Sequence, residues 1–94
     1  MEDQETVEES SVTFEVQVSG KPEPEVEWLR NGSRVRRSRK YKVQEKLNGV
    51  YSLTIADVTS PDDGEYRCVV KNTEGTAMSE AKLVVKRLGT VITY

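Results

Sequence analysis

The sequence has 94 residues, 35% of them hydrophobic and 32% charged, and its formal net charge at pH 7 is −2. A domain usually needs about 100–200 residues, so this length provides for one domain and excludes a two-domain enzyme. Histidine, the commonest general base and metal ligand, is absent, and the one cysteine cannot form an internal disulfide, a thiolate metal site or a redox pair.

The first half of the chain predicts three short strands. Hydrophobic and polar residues alternate over residues 11–18, which is typical of a strand with one buried face. Two prolines interrupt the chain before a second strand at 26–29. Asn31-Gly32 is a tight-turn dipeptide, so we expect a hairpin with a short return strand at 34–36.

The second half continues the same pattern. Residues 41–44 and 50–55 form an alternating pair of strands around Asn48-Gly49, and turn-forming residues follow at 60–64. Residues 65–71 and 77–86 are predicted to be the last two strands. Seven or eight short strands without a helical period predict an all-β fold, an antiparallel sandwich or a small barrel.

Several motifs in this pattern resemble those of an immunoglobulin domain of the intermediate set, the I-set. The most specific is Asp62-x-Gly64-x-Tyr66-x-Cys68, and Trp28 with the preceding Gly-x-Pro-x-Pro stretch and Asn72-x-x-Gly75 are similar to other positions of the family. The resemblance covers about residues 5–86. It implies two antiparallel sheets, a domain at 1–87 with a linker or tail at 88–94, and a first strand, strand A, that is truncated or missing.

The same resemblance implies a mainly structural role for eight residues. Tyr66 would form a tyrosine corner, Trp28 would fill the core, and Asp62 would pair with a base such as Lys40. The implied structural core is Val16, Trp28, Leu53, Ile55, Asp62, Gly64, Tyr66 and Cys68. The spacing of Asp62, Asp63 and Glu65 differs from that of a calcium-binding loop, so we expect no metal site there. We also expect no catalytic and no cofactor-binding residues.

Val16 stands where secreted immunoglobulin domains have the strand-B cysteine, so Cys68 lacks its partner. This departure favours a reducing compartment. It narrows the resemblance to intracellular modules of the titin, obscurin, myosin-binding protein and palladin type. These are non-catalytic modules that act as folded spacers and docking surfaces in tandem arrays in the cytoplasm, in some cases beside a kinase domain.

The alternative is an extracellular adhesion or receptor domain that lacks the usual disulfide. Asn31-Gly32-Ser33 fits the glycosylation acceptor tripeptide and is the feature that favours it. The same Asn-Gly pair is also what a tight hairpin requires.

Positive charge is concentrated in residues 30–42, here called the basic segment. It holds seven bases and no acid, whereas residues 1–29 hold nine acids and one base. The segment is either a solvated loop or a docking site for an acidic surface, such as actin, another sarcomeric or cytoskeletal protein, or anionic lipid headgroups. The candidate partner-binding residues are Arg34, Arg36, Arg37, Arg39 and Lys40.

Nucleic acid is not expected as a partner, since Tyr41 is the segment's one stacking residue. We also expect no membrane insertion, because no apolar run approaches the roughly 20 residues that span a bilayer.

Overall fold

A computed structural model describes residues 1–86, which form strands joined by turns. The proposed linker at 88–94 lies outside the described residues. Two short 3-10 turns, Leu47–Gly49 and Ser60–Asp62, interrupt the strand pattern. The strands are β1 (Gln4–Val7), β2 (Val12–Gln17), β3 (Glu25–Arg30), β4 (Ser33–Arg34), β5 (Tyr41–Lys46), β6 (Val50–Ile55), β7 (Gly64–Asn72) and β8 (Gly75–Lys86).

The strands form two sheets that pack face to face. The larger sheet has the order β1-β8-β7-β3-β4 and the smaller has the order β2-β6-β5. Neighbouring strands are antiparallel except β1 and β8, which run parallel. This arrangement confirms the predicted all-β sandwich.

The core lies between the sheets and is built from the inward residues of the alternating strands. Trp28, Leu53, Ile55 and Cys68 are all at most 2% exposed. Phe14 and Tyr66 stack with their ring centroids 5.3 Å apart. The buried hydrophobic residues that complete the core are Val12, Val58, Ala81 and Leu83. Burying each large side chain stabilises the fold by about 1.5–3 kcal/mol, so these contacts dominate its stability.

The strand before β2 is short, in agreement with the expected truncation of strand A. β1 has four residues, and Gln4 lies opposite Leu83 in the parallel pair with β8. The side-chain amide of Gln4 donates a hydrogen bond of 2.6 Å to the carbonyl of Thr13, which belongs to the smaller sheet. β1 therefore closes part of the edge of one sheet and also contacts the other.

The hairpin between β3 and β4 has the expected tight turn but a shorter return strand. Asn31 and Gly32 both have positive φ, 47° and 86°, as a two-residue hairpin turn requires. β4 ends at Arg34, and the Val35 N–H still donates to the Trp28 carbonyl at 2.8 Å. Arg36 lies beyond this ladder because residues 35–40 leave the larger sheet and cross to β5 in the smaller one.

Candidate functional site: the basic segment

The basic segment runs through three different structural elements. Arg30 ends β3, Arg34 ends β4, and Arg36, Arg37 and Arg39 lie on the crossing loop of residues 35–40. The loop is held in shape by Ser38, whose hydroxyl oxygen accepts hydrogen bonds from the N–H groups of Lys40 and Tyr41, at 3.1 and 3.2 Å. Three of the candidate residues, Arg34, Arg36 and Arg37, line one depression at this edge of the sandwich.

The structure places Lys40 in an internal ion pair. Its ammonium group lies 2.7 Å from Asp62 Oδ2 and within 3.4 Å of the carbonyl oxygens of Ala56 and Asp57. Asp62 is only 4% exposed, so the charge of Lys40 is balanced inside the fold. Lys40 thus serves to hold the crossing loop, and we leave it out of the docking set proposed below.

The carboxylate of Asp62 is stabilised in its charged form. Burial by itself would raise its pKa, but the Lys40 ammonium and the hydrogen bonds from the N–H and hydroxyl of Thr59 outweigh this effect. The pKa of Asp62 is therefore held below its ordinary value. The Thr59 N–H donates to Asp62 Oδ2 at 2.8 Å, which makes Asp62 part of a capping box at the turn before β7.

Tyr66 completes this end of the sandwich. Its hydroxyl donates a hydrogen bond of 2.7 Å to the backbone carbonyl of Asp62, which is the tyrosine corner that the sequence motif implies. Burial raises the pKa of Tyr66 to about 12, so the phenol remains neutral and a donor. Asp62 is thus held through both its side chain and its backbone.

The remaining arginines differ in how their charge is balanced. Arg34 Nε lies 3.6 Å from Glu27 Oε1, and its side chain is 73% exposed, so this ion pair is weak. Within residues 1–86, Arg36, Arg37 and Arg39 are exposed and form no ion pair. These three guanidinium groups carry unbalanced positive charge, and so does Lys42 on β5, which is also exposed and forms no ion pair within the same residues.

Arg30 was part of the basic segment but not among the predicted partner-binding residues. One of its terminal nitrogens donates to the Pro61 carbonyl, which fixes the side chain beside the turn before β7. Arg30 also lines a depression together with Arg34 and Arg36. Arg30 stands at the end of β3, directly before the Asn-Gly turn. This position in the sequence is the signal that could have identified Arg30 as a residue of the candidate site.

Asn31 ties the β3–β4 turn to the start of β7. The Asn31 side-chain oxygen accepts a hydrogen bond of 2.9 Å from the Glu65 N–H, and the Asn31 N–H donates to the Glu65 carbonyl. The amide also packs against Gly64, where a Cβ would lie 2.7 Å from Asn31 Oδ1.

Cys68 is buried in the core. It is 1% exposed, and burial raises the pKa of its thiol to about 11. Val16, the residue at the missing cysteine position, is partly buried against the same core.

The described part of the chain has neither a metal-binding cluster nor a membrane-spanning helix. Across residues 1–86, no three Asp, Glu, Cys or His side chains are grouped so that they could hold a metal ion. In the same part of the chain there is no helix with the length and hydrophobicity that a membrane crossing requires.

Comparison with known proteins identifies the family. The model of the immunoglobulin I-set domain matches residues 1–85. The chain is 37% identical over 87 residues to telokin of Meleagris gallopavo and to the smooth muscle myosin light chain kinase of Gallus gallus, and in both cases 93% of the chain is covered. It is also 39% identical over 80 residues, 85% of its length, to the netrin receptor DCC of Rattus norvegicus.

The chain corresponds to only part of each relative. It spans 56% of telokin and 5% of both the kinase and the receptor, so the activities of the whole relatives do not transfer to it directly. Among solved structures, titin domain M3 superimposes with a TM-score of 0.87 at 32% identity, covering 92% of this chain and 90% of that domain. From the family match, these relatives and this structure, we conclude that the chain belongs to the immunoglobulin I-set family and is similar to the I-set domains of muscle proteins.

Proposed function

We propose that this domain is a non-catalytic structural and protein-interaction module of a large sarcomeric or cytoskeletal protein. It acts as a folded spacer and presents the basic segment to an acidic protein partner, for which the actin filament is the first candidate. The observation that carries the docking role is the exposure of Arg36, Arg37 and Arg39 without ion pairs among the described residues. Unbalanced charge of this kind accelerates association with a surface of opposite sign.

The spacer role is supported by the parallel pairing of β1 and β8. A force that pulls the two ends of the domain apart acts along these strands in opposite directions. All four paired positions, from Gln4 with Leu83 to Val7 with Lys86, are then loaded together in shear. A domain with this geometry suits a tandem array, in which residues 1–87 form the module and 88–94 connect it to a neighbour.

A cytoplasmic location is supported by the environment of Cys68. The thiol is buried opposite a partly buried Val16, and the core is packed without an inter-sheet bridge. Disulfide-free packing of this kind suits a reducing compartment. The similarity to telokin and to smooth muscle myosin light chain kinase agrees with such a location.

The domain itself has no enzymatic role in this proposal. The similarity to a kinase covers 5% of that protein, and the part of this chain that takes part in it matches the I-set model. A kinase domain elsewhere in the same polypeptide is compatible with the proposal. In that case the module would position or regulate its neighbour and would not contribute to the chemistry.

A second candidate is a domain of an extracellular adhesion protein or receptor. The similarity to the netrin receptor DCC and the Asn31-Gly32-Ser33 tripeptide favour it. The test is the mass of the domain after secretion from a eukaryotic cell, with Asn31→Gln as the control. A glycan at Asn31 would support this candidate, whereas a secreted domain of unmodified mass would contradict it.

The docking role is tested by cosedimentation with actin filaments. The test variant carries Arg36→Glu, Arg37→Glu and Arg39→Glu. The matched control carries Lys21→Glu, Lys71→Glu and Lys82→Glu, which makes the same change in net charge at exposed sites elsewhere. We expect loss of binding in the arginine variant alone. Equal loss in both variants, or no binding by the wild type, would contradict docking of actin through the basic segment.

A further inference from the structure

An open depression of about 510 Å³ lies between the β3–β4 hairpin and the crossing loop. Three arginines from different elements line it: Arg30 from β3, Arg34 from β4 and Arg36 from the loop. Ser33, Ser38 and Tyr41, which carry hydroxyl groups, also line it. We call this depression the arginine pocket.

The arginine pocket differs in charge from the larger groove beside it. None of the residues that line the pocket carries a carboxylate. The neighbouring groove, of about 600 Å³, is lined by Arg34, Arg37 and Lys71 but also by four glutamates, Glu23, Glu25, Glu27 and Glu45. That groove therefore carries mixed charge, whereas the residues that line the pocket are all basic or neutral.

The pocket also offers hydrogen-bond donors that are only partly used within residues 1–86. Arg36 forms no ion pair within residues 1–86, and Arg30 is anchored through the Pro61 carbonyl. In both hydrogen bonds of the Ser38 hydroxyl the oxygen is the acceptor, so the hydroxyl hydrogen is available to donate. A carboxylate accepts hydrogen bonds only and pairs with a guanidinium through two parallel bonds, so it matches this set of donors.

We propose that the arginine pocket binds an aspartate or glutamate side chain from an acidic segment of a partner protein. The proposal rests on the docking role proposed above and assigns that role to Arg30, Arg34 and Arg36. Arg34 now has only a weak, exposed contact with Glu27, which the incoming carboxylate would replace or share. Val35 and Tyr41, which also line the pocket, can pack against the methylene groups of the incoming side chain.

The test uses two single variants, Arg36→Glu and Arg37→Glu. The two residues are adjacent in sequence, both are exposed, and both variants change the net charge equally. Of the two, only Arg36 lines the arginine pocket. The probe is a fluorescein-labelled ten-residue peptide of alternating aspartate, glutamate and glycine, and its affinity is measured by fluorescence anisotropy at about 50 mM salt. Circular dichroism checks that each variant is folded.

We expect Arg36→Glu to weaken peptide binding at least about tenfold and Arg37→Glu to weaken it less than about threefold, because a direct guanidinium contact contributes more than long-range charge.

The other outcomes separate the two proposals. If Arg36→Glu and Arg37→Glu weaken binding equally, the pocket is wrong and the general docking role remains. If the wild type does not bind the peptide at all, the pocket is wrong, and the actin experiment decides the docking role independently. A phosphoserine version of the peptide that binds more than tenfold tighter through Arg36 would replace the carboxylate with a phosphate as the ligand.

Discussion

The ammonium group of Lys40 lies 2.7 Å from the carboxylate of Asp62, and this pair joins the crossing loop to the turn before β7. The same carboxylate caps that turn through Thr59, and the backbone carbonyl of Asp62 receives the hydroxyl of Tyr66. One buried residue therefore connects the loop, the turn and β7. The positive charge of Lys40 is needed inside the domain, although its sequence position is within the basic segment.

Asp62→Asn should destabilise the domain by about 2 kcal/mol at pH 7, since it removes the counter-charge of Lys40 and weakens the cap. The pKa of Asp62 is lower in the folded state than its ordinary value. Its contribution to stability is therefore complete above the unfolded-state pKa, about 3.9, and is lost as the pH falls through the folded-state pKa. Urea unfolding at several pH values measures both effects.

Asp57→Asn is the control for that experiment. Asp57 is exposed on the neighbouring loop and has a positive φ of 47°, which asparagine tolerates well. We expect its stability to stay within about 0.5 kcal/mol of the wild type. An Asp62→Asn variant that loses stability on acidification as steeply as the wild type would show that Asp62 does not govern the acid response.

Tyr66→Phe should reduce the free energy of unfolding by about 1–2 kcal/mol. The substitution keeps the ring that stacks on Phe14 but removes the hydrogen bond of 2.7 Å to the Asp62 carbonyl. Tyr41→Phe is the matched control, because the Tyr41 hydroxyl makes no hydrogen bond within residues 1–86. Similar losses in the two variants would contradict a special contribution of the tyrosine corner.

The Cys68 thiol should react with a disulfide reagent at pH 8 at least about 100-fold more slowly in the folded domain than in urea. Its pKa is raised to about 11 by burial, and the thiolate is the reactive form. Absorbance of the released thiolate measures the rate. Fast labelling of the folded domain would mean that this part of the core opens readily. In a separate measurement, a reducing agent should leave the melting temperature of the domain unchanged.

Trp28→Ala should destabilise the domain by about 3–5 kcal/mol, enough to unfold a domain of ordinary stability at 37 °C. Trp28 is 2% exposed and belongs to the central hydrophobic cluster. Leu47→Ala, at a side chain that is 87% exposed, should have little effect. Circular dichroism during heating distinguishes the two, and a folded Trp28→Ala variant at 37 °C would contradict the role of Trp28 in the core.

The strands with a clear two-residue period could be predicted closely from the sequence. The alternation over 11–18 corresponds to β2 (Val12–Gln17), and the pattern at 65–71 corresponds to β7 (Gly64–Asn72). Each of these strands has one face in the core, so its sequence records the side-chain direction directly. β1 was not predicted as a strand. Its four residues form a strand only by pairing with the edge of β8, which is distant in sequence.

The site was harder to predict than the strands. The pairing of Lys40 with Asp62 was expected from the family resemblance, since a separation of 22 positions carries no local signal. The different surroundings of Arg36 and Arg37 could not be expected. Both lie on the crossing loop, outside any ladder, where the direction of a side chain follows no period and depends on tertiary packing.

The crossing loop is bonded to both sheets. The Val35 N–H donates to the Trp28 carbonyl in the larger sheet, and the Ala56 N–H beyond β6 donates to the Lys40 carbonyl, both at 2.8 Å. A partner held by the loop would consequently be released whenever either sheet opens. Binding at the loop should therefore lower the population of states in which either sheet has opened, and amide hydrogen exchange should slow in both β3 and β6 as the partner's concentration rises.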